Sequence, residues 1–186
     1  AITNDIIYDM YRDVHDTKDL SLLKENNMRY DMTVIFPRML GSEFVKTFGH
    51  YHSGHKNSAY MEVYEVLLGR VHFILQKMGV NPSEIEDTIL IEADEGDVII
   101  MPPGYGHIAI NPSKKPLVLC NLVSMSVKPD YESIENLRGA VYYETDSGFM
   151  KNKNYSKAPK LRMLKASMMK NPFFDKGPLY SAFVQK

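Results

Sequence analysis

Along residues 71–76 apolar and polar side chains alternate, so that His72, Ile74 and Gln76 share one face of an extended segment. Runs rich in β-branched and aromatic residues recur at short intervals: 32–36, 43–48, 62–68, 71–78, 88–93, 97–101, 107–110 and 117–124. Turn residues punctuate them at Pro37, Gly41, Gly69, Gly79, Pro82, Gly96, Pro102-Pro103-Gly104 and Pro112. Short strands at this spacing predict an all-β sandwich or barrel and argue against βαβ units. The flanks read differently. Residues 19–26 predict a short helix, with Leu20, Leu22 and Leu23 ahead of Asn26-Asn27. Residues 5–13 fit a strand or a helical turn equally, residues 132–139 a turn of helix, and residues 140–144 a strand. Residues 156–170 predict a helix, because Pro159 suits a first turn and Leu161, Leu164 and Met168 recur at helical spacing.

Composition narrows the class. The 186 residues are one domain's worth, with a barrel core over about 30–145 and a C-terminal extension over 146–186. The lone cysteine, Cys120, sits in the apolar run 116–122 and reads as a buried small hydrophobe. No intrachain disulfide can form, so nothing argues for an oxidising compartment. The first residues lack the basic and apolar stretches of a secretory signal, and no apolar run approaches membrane-spanning length. The expectation is a soluble cytoplasmic protein. The net charge of −1 is unevenly spread. From Lys151 onward eight Lys and one Arg face a single Asp, a net of +8, which leaves −9 on residues 1–150. A basic tail can bind nucleic acid or acidic lipid. This one also carries Leu161, Leu164, Phe173, Phe174 and Phe183, so packing on the acidic body of its own chain or of a partner subunit is the preferred reading.

The candidate chemistry centres on His50, His52, Glu62 and His107. Two histidines two residues apart on a strand point to the same face. Imidazole is the commonest ligand for first-row metals, and a carboxylate can complete the set. A bare His-x-His is more often half-exposed strand surface; its setting is what makes it a candidate here. His15 reads as surface and His55 as a loop residue, while His72, close behind Gly69, is a weak candidate for the interior.

Two blocks give that setting. One contains Thr47, Phe48, Gly49, His50, Tyr51 and His52, then Glu62, Val63 and Tyr64, then Gly69. The other contains Gly96, Pro102, Gly104, His107 and Asn111. Together they resemble the two signature motifs of the cupin superfamily, which implies a double-stranded β-helix (jelly-roll barrel) with flanking short helices. The interval from His52 to Glu62 is longer than usual; His55 or Glu65 could substitute, but only Glu62 has the expected spacing to Gly69. Thr33 through Pro37, Gly41 through Phe44, Thr47, the Gly49–His52 block, Glu62 through Tyr64 and Pro102-Pro103 narrow the likeness to the cupin-type phosphoglucose isomerases. Tyr8 and Tyr11 are similar to a Tyr-x-x-Tyr of that family, and Asp130-Tyr131 to its His-Asp-Tyr. The likeness covers roughly residues 30–131.

That resemblance implies a homodimer with one divalent metal per subunit, iron ranked ahead of manganese, nickel and zinc. It implies interconversion of glucose 6-phosphate and fructose 6-phosphate, with no nucleic acid or membrane partner. Carried over, His50, His52, Glu62 and His107 are metal ligands. Thr33, Thr47, Gly49 and Tyr8 are phosphate contacts, Tyr64 and Tyr131 line the substrate pocket, and Glu62 and Tyr64 are candidates for the catalytic base. Gly104, Leu119, Val123 and Pro129 stand where the family has other pocket residues. Two competing classes are a non-catalytic sugar- or metabolite-binding cupin, and another metal-dependent cupin enzyme such as a dioxygenase or epimerase.

Overall fold

The computed structural model describes residues 4–53 and 62–168. In chain order the strands are β1 (Tyr8–Tyr11), β2 (Met28–Ile35), β3 (Met39–Leu40), β4 (Glu43–Phe44), β5 (Tyr51–Ser53), β6 (Glu62–Leu68), β7 (Arg70–Met78) and β8 (Ile85–Asp94). They continue as β9 (Val98–Met101), β10 (Tyr105–Ile110), β11 (Leu117–Ser124), β12 (Lys128–Asp130), β13 (Tyr142–Thr145), β14 (Gly148–Lys151) and β15 (Arg162–Lys165). Two short helices flank them, α1 (Leu20–Glu25) and α2 (Glu132–Glu135).

A five-stranded sheet of order β1-β2-β11-β6-β9 faces a four-stranded sheet of order β10-β7-β8-β15. Ile35, Val66, Ile99, Leu117 and Leu119 from the first meet Val71, Phe73, Leu75, Ile91 and Ala93 from the second in one buried cluster. Gly69 makes the tight β6–β7 connection at φ +89°; a Cβ there would lie 2.8 Å from the Pro116 carbonyl oxygen, so the close approach admits only glycine. Val71, Phe73 and Leu75 of β7 thus fill the barrel. Its even-numbered face, carrying Ile74 and Gln76, is also buried, beneath an outer layer that includes Ile134 and Ala140. One strand therefore serves two cores.

The segment between β4 and β5 follows β10 through bridges Lys46↔Ile110 and His50↔His107, which covers an otherwise open edge. Only Glu43–Phe44 of the strand expected over 43–48 is regular strand. The undecided segment near residue 8 is β1, antiparallel to β2. The helix expected over 156–170 does not form across its described residues, 156–168, where only Ala166–Met168 make a single 3-10 turn. Arg162–Lys165 instead forms β15, parallel to β8 from Arg162↔Ile89 to Lys165↔Glu92. The free backbone groups along the edge of β8 win over the helical spacing of the leucines, because each pairing satisfies an otherwise unpaired donor or acceptor. Phe173, Phe174 and Phe183 lie outside the described residues.

Candidate metal centre and substrate cavity

Local backbone puts the candidate ligands in place. His50 and His107 are antiparallel partners that exchange both backbone hydrogen bonds, at 3.3 and 3.1 Å, so their side chains stand side by side. Gly49 enters this pairing at φ +81°, with Ile108 packed where a Cβ would go. Strand alternation keeps His52 on the face of His50, while Tyr51 between them turns into the outer core and accepts a hydrogen bond from Gln76 Nε2 at 2.7 Å. On β6 the same alternation puts Glu62 and Tyr64 on the barrel face. Glu65 lies on the opposite face, 3.8 Å from the Cys120 thiol, so the alternative ligand at that position is excluded.

One donor atom from each of His50, His52, Glu62 and His107 lies within 4.8 Å of all the others. Glu62 Oε2 is 3.0 Å from His52 Nε2 and 3.1 Å from His107 Nε2. Two donors bound at right angles to one first-row cation, each about 2.1 Å from it, lie about 3.0 Å apart. Glu62 Oε2 and His52 Nε2 are buried and have no hydrogen-bond partner among the described residues. Buried polar atoms without partners are rare, and a shared cation is the partner this donor set fits. Glu62 Oε1 is otherwise engaged, accepting a hydrogen bond from Asn121 Nδ2 at 2.6 Å.

Electrostatics agree with this set. Burial, and then the neighbouring His107, push His50 down to about 3, so its imidazole is neutral and available as a ligand near neutral pH. Burial raises the Glu62 carboxyl, but close contacts with His107 and His52 overcome it and hold the group below the usual carboxylate range. Burial, reinforced by the Glu62 charge, holds Tyr64 well above the usual phenol value, and its hydroxyl lies 3.4 Å from His107 Nε2.

Two cavities meet at this cluster. The first is lined by Tyr8, Thr33, Thr47, Gly49, Tyr64 and Tyr131, together with His50 and His107, so it gathers every substrate contact suggested by the sequence. Met10, Phe48, Ala109 and Leu119 complete its wall. The second is bounded by His50, His52, Glu62, Tyr64 and Tyr131, and adds Arg12, Arg29, Asp31 and Asn121. Of the four family departures, Leu119 lines the first cavity, Val123 and Pro129 line the second, and Gly104 lines neither. Pro129 is the direct strand partner of His52. Nothing in the sequence pattern marked Asn121, hidden in an apolar run, or Arg12 and Arg29, which fall outside both motifs.

Of the remaining histidines, His72 and His15 take no part. His72 points away from the barrel and meets Glu144 Oε1 at 2.8 Å, because the interior face of β7 belongs to Val71 and Phe73. His15 Nδ1 sits 2.9 Å from the Asp13 carbonyl, and His55 lies outside the described residues.

Comparison with known proteins accords with this geometry. Glucose-6-phosphate isomerase of Thermococcus litoralis is 32% identical over 111 residues, covering 60% of this chain and 54% of that protein. The enzyme of the same name from Pyrococcus abyssi is 28% identical over 129 residues, covering 69% and 60% respectively. The chain thus spans little more than half the length of these relatives. An oxalate oxidase structure in complex with the substrate analogue glycolate superposes with a TM-score of 0.51 at 11% identity, over 68% of this chain and 55% of that one. At that identity the likeness speaks for fold alone, and the fold is the cupin double-stranded β-helix. A model of the glucose-6-phosphate isomerase (GPI) family matches residues 1–160, and with this coverage the chain belongs to that family.

Proposed function

We propose that the chain is a metal-dependent aldose–ketose isomerase that interconverts glucose 6-phosphate and fructose 6-phosphate. The observation that carries the reading is the single cavity in which Tyr8, Thr33, Thr47, Gly49, Tyr64 and Tyr131 stand beside His50 and His107. His50, His52, Glu62 and His107 hold one divalent cation, iron ranked first and manganese, nickel or zinc next. When bound, the cation supplies Lewis acidity for two adjacent sugar oxygens.

The protein's own groups do the rest. Thr33 and Thr47 offer hydroxyl donors and Gly49 a closely approachable backbone N–H to a phosphate. The Thr47 hydroxyl already accepts from the Ala109 N–H at 3.1 Å, which fixes its oxygen and leaves its proton to donate. The Tyr64 phenol, kept protonated by burial and the Glu62 charge, donates to the oxygen on which charge develops. Tyr131, its ring 5.3 Å from that of His50 and 5.7 Å from that of Phe48, closes one side of the pocket. We place the protein in the cytoplasm as a homodimer. No helix among the described residues is long and apolar enough to cross a membrane.

The test is formation of fructose 6-phosphate by the purified chain loaded in turn with Fe, Mn, Ni and Zn. Turnover with at least one metal is expected, and His107→Ala is expected to lose both metal and activity while keeping the far-ultraviolet signature of the barrel. No turnover at confirmed metal occupancy overturns the isomerase reading and leaves a binding module.

A further inference from the structure

A third cavity adjoins the first at Tyr8, Thr47 and Phe48, and none of the four candidate metal ligands lines it. The first encloses about 40 Å³, small beside the roughly 300 Å³ or more usual for a site of this kind, so a bound sugar phosphate extends beyond it. The groups read above as phosphate donors are all neutral, and among the described residues no Lys or Arg lines the first cavity. A phosphate monoester loses its second proton near about pH 6, so at neutral pH it is close to a dianion that neutral donors do not offset. Two cations line the third cavity, Lys46 and Arg138. They are not equivalent. Lys46 is bonded to Glu43 and lies 5.5 Å from the centre of the Tyr143 ring, so its charge is already answered. Arg138 is exposed and makes no ion pair among the described residues, with Glu135 of the same wall or with any other acid. Its backbone, by contrast, is fixed. The Arg138 N–H donates to the Glu135 carbonyl at 2.8 Å, and the Arg138 carbonyl accepts from the Tyr143 hydroxyl at 2.8 Å. The residue sits just beyond α2 at φ +58°, a left-handed position that glycine would take without strain. An arginine is kept there at a conformational penalty, and such outliers gather where a particular side chain is needed.

We propose that Arg138 is a specificity-determining residue of the isomerase: from the rim of the third cavity its guanidinium offsets the second negative charge of the phosphate and so selects a dianionic ester over a monoanionic one. The proposal rests on the reading of the first cavity given above. Tyr8 and Thr47 belong to both walls, so the ligand's charged end lies between the neutral donors and this cation. The neutral donors fix where the phosphate sits, and Arg138 decides how much its charge is worth. Arg138 is exposed, so the effect has the size of a surface ion pair and weakens with added salt. Arg12 and Arg29 do not take this role, because they line the second cavity, where Glu62 and Asp31 stand beside them.

The test compares glucitol 6-phosphate with glucitol 6-sulfate, a dianion and a monoanion of equal length and shape, on the metal-loaded full chain by calorimetric titration at about pH 8, where the phosphate has lost its second proton. The wild type is expected to prefer the phosphate. Arg138→Gln is expected to lower the phosphate-to-sulfate affinity ratio by about three- to fivefold at low salt, as loss of an exposed ion pair does. Arg138→Gly, which also relieves the backbone, is expected to lower the ratio equally, and Arg138→Lys to keep most of it. If both ligands bind and the ratio is the same in all four proteins, or if both affinities fall together, Arg138 does not read charge and the proposal is overturned, with the isomerase reading intact. If neither ligand binds the wild type, the assignment of the first cavity falls and the role of Arg138 falls with it.

Discussion

Asn121 Nδ2 donates to Glu62 Oε1 at 2.6 Å, and both side chains are buried. The pairing of β11 with β6 sets this up, since Asn121 lies across from Tyr64 and Val123 across from Glu62. The bond pins one carboxylate oxygen and presents the other to His52 and His107. Partners of this kind orient metal ligands and tune their affinity. Asn121→Leu is expected to weaken metal binding by roughly ten- to a hundredfold, read by competition with a chromophoric chelator. Asn121→Gln is expected to recover part of that loss. Unchanged affinity in the leucine variant would show that Glu62 needs no such support.

Gly49 reaches φ +81° with Ile108 pressed against it, and a Cβ built there would sit 2.3 Å from Ile108 Cγ1. Gly49→Ala therefore combines left-handed backbone strain with overpacking, a loss of about 2–4 kcal/mol. Because Gly49 precedes His50, metal affinity is expected to fall along with stability. The denaturant midpoint and metal content report the two effects separately. A variant with wild-type values of both would mean that Ile108 and the backbone relax without disturbing the site.

These two residues mark how far the sequence could be read. The barrel strands were legible because period-two alternation, cut by glycine and proline, is a local signal: β6, β7 and β11 lie almost where the runs at 62–68, 71–78 and 117–124 put them. His50, His52, Glu62 and His107 were legible as a motif, and the fold brings them together. Asn121 was not, because an amide inside an apolar strand gains meaning only from the strand beside it. Nor was β15, whose partner lies about seventy residues away and whose pairing outweighs a local helical period. Arg12 and Arg29 belong to strand ends that carry no motif; only the closure of β1 and β2 around the cluster brings them to it.

Gln76 links the barrel to its outer layer. Its Nε2 donates to the hydroxyls of Tyr51, at 2.7 Å, and Tyr155, at 3.1 Å, and its Oε1 accepts the Val141 N–H at 2.8 Å. Gln76→Leu keeps the bulk but strands the buried Val141 N–H and deprives the Tyr51 hydroxyl of its donor, while the Tyr155 hydroxyl keeps its bond to the Gly139 carbonyl at 2.9 Å. A loss of about 2–4 kcal/mol in urea unfolding is expected from the unpaired groups. Tyr51 sits between His50 and His52, so weaker metal binding should accompany it. Stability within about 0.5 kcal/mol of wild type would mean that water replaces the amide at no penalty.

β15 is clipped to β8 by charge. Arg162 donates through Nε and a terminal nitrogen to the two oxygens of Asp87, at 3.1 and 2.6 Å, and the Tyr105 hydroxyl adds a third bond at 2.7 Å. The Arg162 fork, with help from Tyr105, overcomes burial and lowers the Asp87 carboxyl below its ordinary 3.8. A carboxyl depressed in the folded state contributes stability that is fully present above its unfolded value and is lost as pH falls through the folded one. The clip should therefore be intact at neutral pH and release only below about pH 4. Arg162→Ala is expected to speed amide exchange of residues 162–165 at neutral pH and leave exchange in β6, β7 and β11 unchanged. Equal exchange in the two proteins would show that the backbone pairing alone retains the strand.

On the isomerase reading proposed above, the route of hydrogen transfer follows from which groups are free to take a proton. An enediol route needs a base near the C1 and C2 hydrogens. Glu62 has one oxygen bonded to Asn121 and the other facing the histidines, so neither is available while the site is loaded. Tyr64 stays protonated because burial and the Glu62 charge hold it well above its usual value. Thr33 and Thr47 are no bases at neutral pH, and among the described residues no Asp, Lys or Arg lines the first cavity. Direct hydride shift between adjacent carbons needs no such group. Isomerisation in deuterated water is therefore expected to leave fructose 6-phosphate without carbon-bound deuterium after a single turnover, as read by nuclear magnetic resonance. Incorporation at C1 would show that Glu62 leaves its bond to Asn121 during the reaction, and an Asn121→Leu variant should then exchange more.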